Sequence, residues 1–235
     1  MAEGIIVIGD SGSGKSTSIG GVEELGIKGL DPKETIVINV KNKPLPFRGW
    51  KNQYTGKISE GGNYFASANS EEIIRVLKYI SDNRPEIKNV VLDDFQYTMS
   101  EQFMKDAFEK GFDKFTRIGK FSYDIINAGL QMRSDINFII LTHSDEENNK
   151  LKMKTLGRLL DDKVNPIGLF TVALFTAHRM NADDKLEYGF VTNRTLDPRG
   201  FEIPAKSPVG MFENLFIPND MGLVIEKIKK YNGGE

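Results

Sequence analysis

Cysteine is absent from this 235-residue chain, and histidine occurs only at His143 and His178. The first absence removes disulfide frameworks, cysteine zinc sites and thiol nucleophiles. The second leaves too few imidazoles for a histidine-rich metal site. No apolar run approaches the roughly 20 residues of a membrane span, and Met1-Ala2-Glu3 does not begin like a signal peptide. The chain is therefore expected in the cytoplasm, with no membrane partner. No charge of one sign dominates either: the net charge is −2 and the pI about 5.9, so any nucleic-acid contact must come from a local basic patch. What remains is a soluble composition at a length that suits one α/β domain spanning residues 1–235. A chain of this size buries roughly 70% of its unfolded surface and needs no staple.

Apolar runs and breakers alternate along the chain. Gly4-Ile5-Ile6-Val7-Ile8 reads as a strand buried on both faces, followed by a helix to about Leu25 that Gly20 and Gly21 weaken. Thr35 to Val40 predicts a second strand, and residues 41–63, broken by Pro44, Pro46 and four glycines, a long surface excursion. Asn69-Ser70 caps an expected helix with Ile73, Ile74, Leu77 and Ile80 on one face. Ile87 to Asp93 predicts a third strand. Helical spacing over residues 95–133 includes Phe103, Ala107 and Phe108, then Ile125, Ile126 and Leu130. Ile136 to Thr142 predicts a fourth strand, followed by a polar stretch from Ser144 to Lys150. Leu169 to Ala177 and Lys185 to Asn193 flank Asn181-Ala182-Asp183-Asp184, an antiparallel extension over about 169–194. A terminal helix is expected at about 220–231. Strand-helix alternation predicts a mostly parallel sheet with helices on both faces.

Gly9-Asp10-Ser11-Gly12-Ser13-Gly14-Lys15-Ser16 fits G-x-x-x-x-G-K-[ST] in full, between an expected strand and an expected helix. Small residues at this spacing let successive backbone N–H groups, from Asp10, Ser11, Gly12, Ser13 and Gly14 through Thr17, turn toward phosphate oxygens. Lys15 then serves the β- and γ-phosphates of ATP, and Ser16 ligates Mg²⁺. The alternative is a glycine-rich turn that binds nothing.

Such a loop needs a carboxylate across the sheet. Val90-Val91-Leu92-Asp93-Asp94 supplies one at a strand's carboxyl end, with Asp93 for the magnesium shell and Asp94 as candidate general base. The competing reading is a merely polar strand end. If the strand ending at Thr142-His143 lies between those of the loop and of Asp93, Thr142 and His143 face the γ-phosphate, His143 as a sensor. His178 reads as structural.

These three strands, separated by about 80 and 50 residues, resemble the RecA-type ATPase core. Lys154-Thr155-Leu156-Gly157-Arg158-Leu159-Leu160-Asp161-Asp162-Lys163-Val164, Phe170 to Phe175, and Ala205-Lys206-Ser207-Pro208 are similar to a bacteriophage P-loop family. That family is described as phage nucleotide-binding proteins, AAA-family ATPases or Sak-type single-strand annealing ATPases. The resemblance implies ATP with Mg²⁺ and a sheet in which the expected strands lie in the order 5-1-4-3-2. It also implies a homo-oligomeric ring or filament acting on single-stranded DNA in phage recombination, annealing or replication, beside single-strand-binding or replication proteins in the host cytoplasm. One departure stands out: relatives of RecA carry a catalytic glutamate after the strand preceding that of Asp93, whereas Val37-Ile38-Asn39-Val40-Lys41 holds no acid.

By the same resemblance, DNA would meet the loops after the third and fourth strands, which hold Lys110, Lys114, Phe115, Arg117, Lys120 and Phe121, then Lys150, Lys152, Met153 and Lys154. Nearby acids dilute that charge, so solvated helix faces are the competing reading. Of Arg179, Arg194, Arg199 and Lys206, the preferred trans-acting cations for a neighbour's γ-phosphate are Arg194 and Lys206. A nucleotide-gated adaptor resembling a helicase loader, with weak hydrolysis, is the second functional class. A small-molecule kinase is the third, although Arg158 is the only arginine available for a lid between residues 143 and 165.

Overall fold

Four β-branched runs carry apolar side chains on both faces, and their alternation decides which layer each residue joins. They are β1 (Glu3–Ile8), β2 (Thr35–Asn39), β4 (Asn89–Asp93) and β5 (Asn137–Thr142); β3 is the short Tyr64–Phe65. The computed structural model describes residues 1–157, 159–181 and 184–233, and for Asp161 and Asp162 only the backbone. Ile6, Ile8, Ile36, Ile38, Val90, Leu92, Phe138 and Ile140 face a core completed by α2 (Ser70–Asn83) and α4 (Asp113–Leu130). Ile5, Val7, Val37, Val91, Ile139 and Leu141 face the opposite core, closed by α5 (Met221–Tyr231). The protein is thus a mixed α/β structure whose main sheet is mostly parallel and flanked by helices on both faces.

Eight strands form that sheet in the order β12-β9-β8-β1-β5-β4-β2-β3. Here β8 is Val172–Met180, β9 is Leu186–Val191 and β12 is Phe216–Pro218. From β8 to β3 all neighbours are parallel; β9 is antiparallel to β8 and to β12. A second, four-stranded sheet joins β10 (Thr195–Leu196), β11 (Glu202–Ile203), β7 (Lys150–Met153) and β6 (Ser144–Glu147). Among the described residues no helix is long and apolar enough to cross a membrane.

Several expectations need correction. The helix expected up to Leu25 is two 3-10 turns, Ser16–Ile19 and Glu23–Leu25. Gly20 is extended and lies under Phe47, so close that a Cβ there would fall 2.4 Å from the ring. The chain turns away instead of completing a helix.

The excursion over 41–63 is anchored rather than superficial. Leu45, Phe47, Tyr54 and Ile58 are buried, α1 spans Trp50–Gln53, and the Arg84 guanidinium donates to the carbonyls of Ile58, Gly61 and Gly62 at 2.8–3.2 Å.

Helical spacing through Phe108 also misleads, because α3 (Gln96–Lys105) ends earlier and Phe108 is 99% exposed. The polar stretch after β5 is a hairpin, turned by Asn148 and Asn149 at φ 51 and 59. Asparagine tolerates that left-handed pair, which is what a two-residue hairpin loop demands. The turn residues Ala182 and Asp183 lie outside the described residues.

Candidate functional site

The carboxyl ends of β1, β2, β4 and β5 converge on one cavity of about 350 Å³, the usual ligand position in an open α/β sheet. It is lined by Ser11 through Thr17, Asn39, Lys43, Pro44, Pro46, Asp93, Asp94 and His143.

Gly12 and Gly14 stand at φ +76 and +89, so the loop after β1 curls its backbone in a way side-chain-bearing residues resist. At Gly14 the space is closed as well, since a Cβ would lie 2.5 Å from the Asn219 amide nitrogen. Lys15 is 6% exposed, and its ammonium donates to the carbonyls of Gly9 (2.8 Å) and Asp10 (2.7 Å). Burial lowers its pKa, an effect the carboxylates of Asp93, Asp94 and Asp10 oppose. The Ser13 hydroxyl is buried and has no hydrogen-bond partner among the described residues. Asp10 accepts from the Ser144 hydroxyl across the loop.

Opposite, the Ser16 hydroxyl donates to Asp93 Oδ1 at 2.9 Å, although the two residues are 77 positions apart. Asp93 is 4% exposed; burial and the neighbouring Asp94 push its carboxyl up to about 6. Asp94 is different. Burial acts to raise its pKa, but His143 and Lys43 overcome that and hold it down at about 2. Lys43 Nζ sits 2.6 Å from Asp94 Oδ2 and His143 Nε2 3.6 Å from Oδ1. An aspartate held ionised in this way is a weak proton acceptor. Asp94 also occupies the left-handed region at φ 63, a costly backbone state typical of built sites.

β5 does lie between β1 and β4. Its terminal residues divide: His143 lines the cavity, whereas Thr142 is fully buried, its hydroxyl 3.4 Å from Gln96 Oε1. His178 is remote, against Tyr188 in the β8–β9 ladder.

Arg194 and Lys206 do not enter the cavity of their own chain. Arg194 pairs with Glu202 at 2.9 Å, and Lys206 reaches the Gly168 carbonyl at 3.4 Å while its backbone bridges Ala173. Arg179 pairs with Glu187, and Arg199 with Glu146 and Asp197.

The basic loops carry matching acids. Arg117 pairs with Asp106 and Glu109, Lys120 with Asp124, Lys150 with Glu202 and Lys152 with Glu147. Lys114 lies over the rings of Phe103 and Phe115. Phe108 and Phe112, by contrast, are 99% and 85% exposed on the loop between α3 and α4.

Four site residues escaped the sequence reading. Lys43 supplies a second cation. Asn39, buried at the end of β2, fixes the Lys43 backbone in both directions, Nδ2 to its carbonyl at 2.7 Å and Oδ1 from its N–H at 3.3 Å. Gln96 accepts from the His143 N–H at 3.2 Å. Asn219 donates to the Gly14 carbonyl at 2.9 Å, and the adjacent Asp220 caps α5 while accepting from the N–H groups of Lys28 and Gly29. A polar residue closing the apolar run of β2 was the one available signal.

Chemically, the loop offers N–H groups, a cation and an orphan hydroxyl to an oxyanion. Ser16 and Asp93 offer a hard oxygen pair to a small divalent cation. Among the described residues there is no cluster of three or more His, Asp or Glu able to hold a metal. No protein-family model and no curated protein matches the chain.

Proposed function

We propose that the protein binds ATP with Mg²⁺ and hydrolyses it while assembled on single-stranded DNA. One observation carries the nucleotide reading: the complete phosphate loop faces Asp93 across the sheet, with Ser16 and Asp93 already in hydrogen-bond contact at 2.9 Å. The unpartnered Ser13 hydroxyl and the cavity volume suit a polyphosphate. The run of parallel neighbours β8-β1-β5-β4-β2 supports a RecA-like core.

In this reading the N–H groups of Ser11 to Thr17 orient the phosphates, and Lys15 leaves the Gly9 and Asp10 carbonyls to neutralise them. Ser16 and Asp93 would hold the metal. Mg²⁺, when bound, supplies charge neutralisation at the terminal phosphates. Asp94 orients Lys43 and His143 instead of taking a proton. Arg194 or Lys206 then acts only from a neighbouring copy. The exposed Phe108 and Phe112, flanked by Lys110 and Lys114, favour stacking on unpaired bases.

A second reading is favoured by a specific absence. The cavity-facing end of β2 presents Asn39 where a RecA relative has an acid, and Asp94 is already paired. Both features suit a nucleotide-gated adaptor that hydrolyses slowly. Arg158, the one lid arginine of the kinase reading, lies outside the described residues.

The test is ATP affinity and turnover with and without single-stranded DNA, with particle size recorded, for the parent and for Lys15→Ala. Loss of affinity in the variant, with an unchanged melting curve, is expected. Undiminished affinity would refute the phosphate-loop assignment. Binding without DNA-stimulated turnover would select the adaptor.

A further inference from the structure

Lys15, Lys43 and His143 are the cationic or ionisable donors among the described residues that line the cavity, and the proposed function gives Lys43 no contact of its own with the nucleotide. Lys43 is placed quite differently from it. Its backbone is clamped to the end of β2 by Asn39, yet its side chain is 50% exposed and its ammonium rests on Asp94 at 2.6 Å. The Tyr97 ring, 4.7 Å from the ammonium, gives it a second and uncharged resting contact. Root and tip therefore have opposite freedom: a fixed anchor carries a flexible four-carbon arm with a charge at its end.

Position along the cavity follows from Ser16 and Asp93. In the nucleotide reading these two would hold a divalent cation, which would supply charge neutralisation at the terminal phosphates. Lys43 pairs with Asp94, the residue next to Asp93, and all three line the same cavity, so in the nucleotide reading Lys43 would stand at the terminal-phosphate end. A phosphate dianion offers an ammonium more negative charge than one carboxylate does, so a terminal phosphate can draw Lys43 from Asp94.

Resting on the nucleotide reading, we infer that Lys43 is the group that distinguishes a nucleoside triphosphate from a diphosphate: it binds the terminal phosphate from within the same chain. This differs from a role for Arg194 or Lys206, which requires a second copy. It also differs from mere neutralisation of Asp94, which would treat the two nucleotides alike once the carboxylate is gone.

The experiment measures binding of Mg²⁺·ADP and of a non-hydrolysable Mg²⁺·ATP analogue by calorimetry. Four proteins are compared: the parent, Lys43→Met, Asp94→Asn, and the double variant. Removing one charge-assisted contact costs roughly 10- to 100-fold. Lys43→Met should lose about that factor for the analogue, with ADP affinity held within about threefold. The same selective loss should appear when Lys43→Met is added to Asp94→Asn. Lys43→Arg, which keeps the charge, should retain most of the preference for the triphosphate.

An unchanged ratio of analogue to ADP affinity in Lys43→Met overturns the inference. So does a loss that disappears in the Asp94→Asn background, which would show that Lys43 acts only through that carboxylate. Retained ADP binding certifies that each variant is folded. If the parent binds neither nucleotide, the nucleotide reading itself fails and this inference falls with it.

Discussion

Replacing Asp93 by asparagine should make the nucleotide-free protein more stable, and more so as pH rises. Asp93 is almost wholly buried, beside a second carboxylate, and its carboxyl is held at about 6 against an ordinary value of 3.8. Because the folded-state value is raised, the associated stability is present in full below about pH 4. It is lost as pH climbs through about 6, where the folded protein surrenders a proton the unfolded chain has already released. The full loss corresponds to about 3 kcal/mol. Asp93→Asn keeps an oxygen for the Ser16 hydroxyl and removes the charge. For a chain of this size each kcal/mol moves the midpoint by about 2–4 °C, so the variant should melt up to about 6–12 °C higher at neutral pH. Near pH 4 the difference should nearly vanish. Thermal melts of metal-free, nucleotide-free protein across this range are the assay. A variant that melts no higher than the parent at neutral pH, or by the same margin at both ends, refutes the burial argument. The stabilised variant should at the same time lose its response to Mg²⁺ and ATP, the usual exchange of stability for a functional charge.

Gly14→Ala should abolish the nucleotide-induced rise in melting temperature, because a Cβ at φ +89 also strikes the Asn219 amide; a normal rise would show that the loop tolerates reshaping. Phe108→Ser with Phe112→Ser should weaken single-stranded DNA by about 1–3 kcal/mol for each lost stacking contact while leaving ATP affinity intact. Unaltered DNA affinity across a salt series would remove that loop from the interface.

Much of the central layer was legible because its signals are local. Each buried strand needs apolar residues on both faces, so Ile5 to Ile8, Ile36 to Ile38, Val90 to Leu92 and Phe138 to Leu141 announce themselves from a few adjacent positions. The glycine-rich loop after β1 is equally local, since its glycines and Lys15 act within eight successive residues. Asp93 follows from both, as the acid ending a strand of the required kind. Helix length was less legible: Gly20 and Gly21 hinted at a break, but the Phe47 ring that holds Gly20 extended comes from the distant excursion.

Contacts made across the chain left no such trace. Lys43 meets Asp94 over 51 positions, Gln96 meets the His143 N–H over 47, and Asn219 meets the Gly14 carbonyl over 205. Nothing in the spacing of a lysine in a proline-broken stretch tells it from a solvated one. The pairing of Lys150 with Glu202 and of Lys152 with Glu147 was hidden for the same reason, and it turned an apparent basic track into the face of a small sheet. Sequence alone determined where chain could be buried on both sides and where backbone could curl tightly after β1, because hydrophobic alternation and glycine sterics act between near neighbours. Tertiary structure decided which charges stand free and which are answered, because a Coulomb partner is chosen by distance in space.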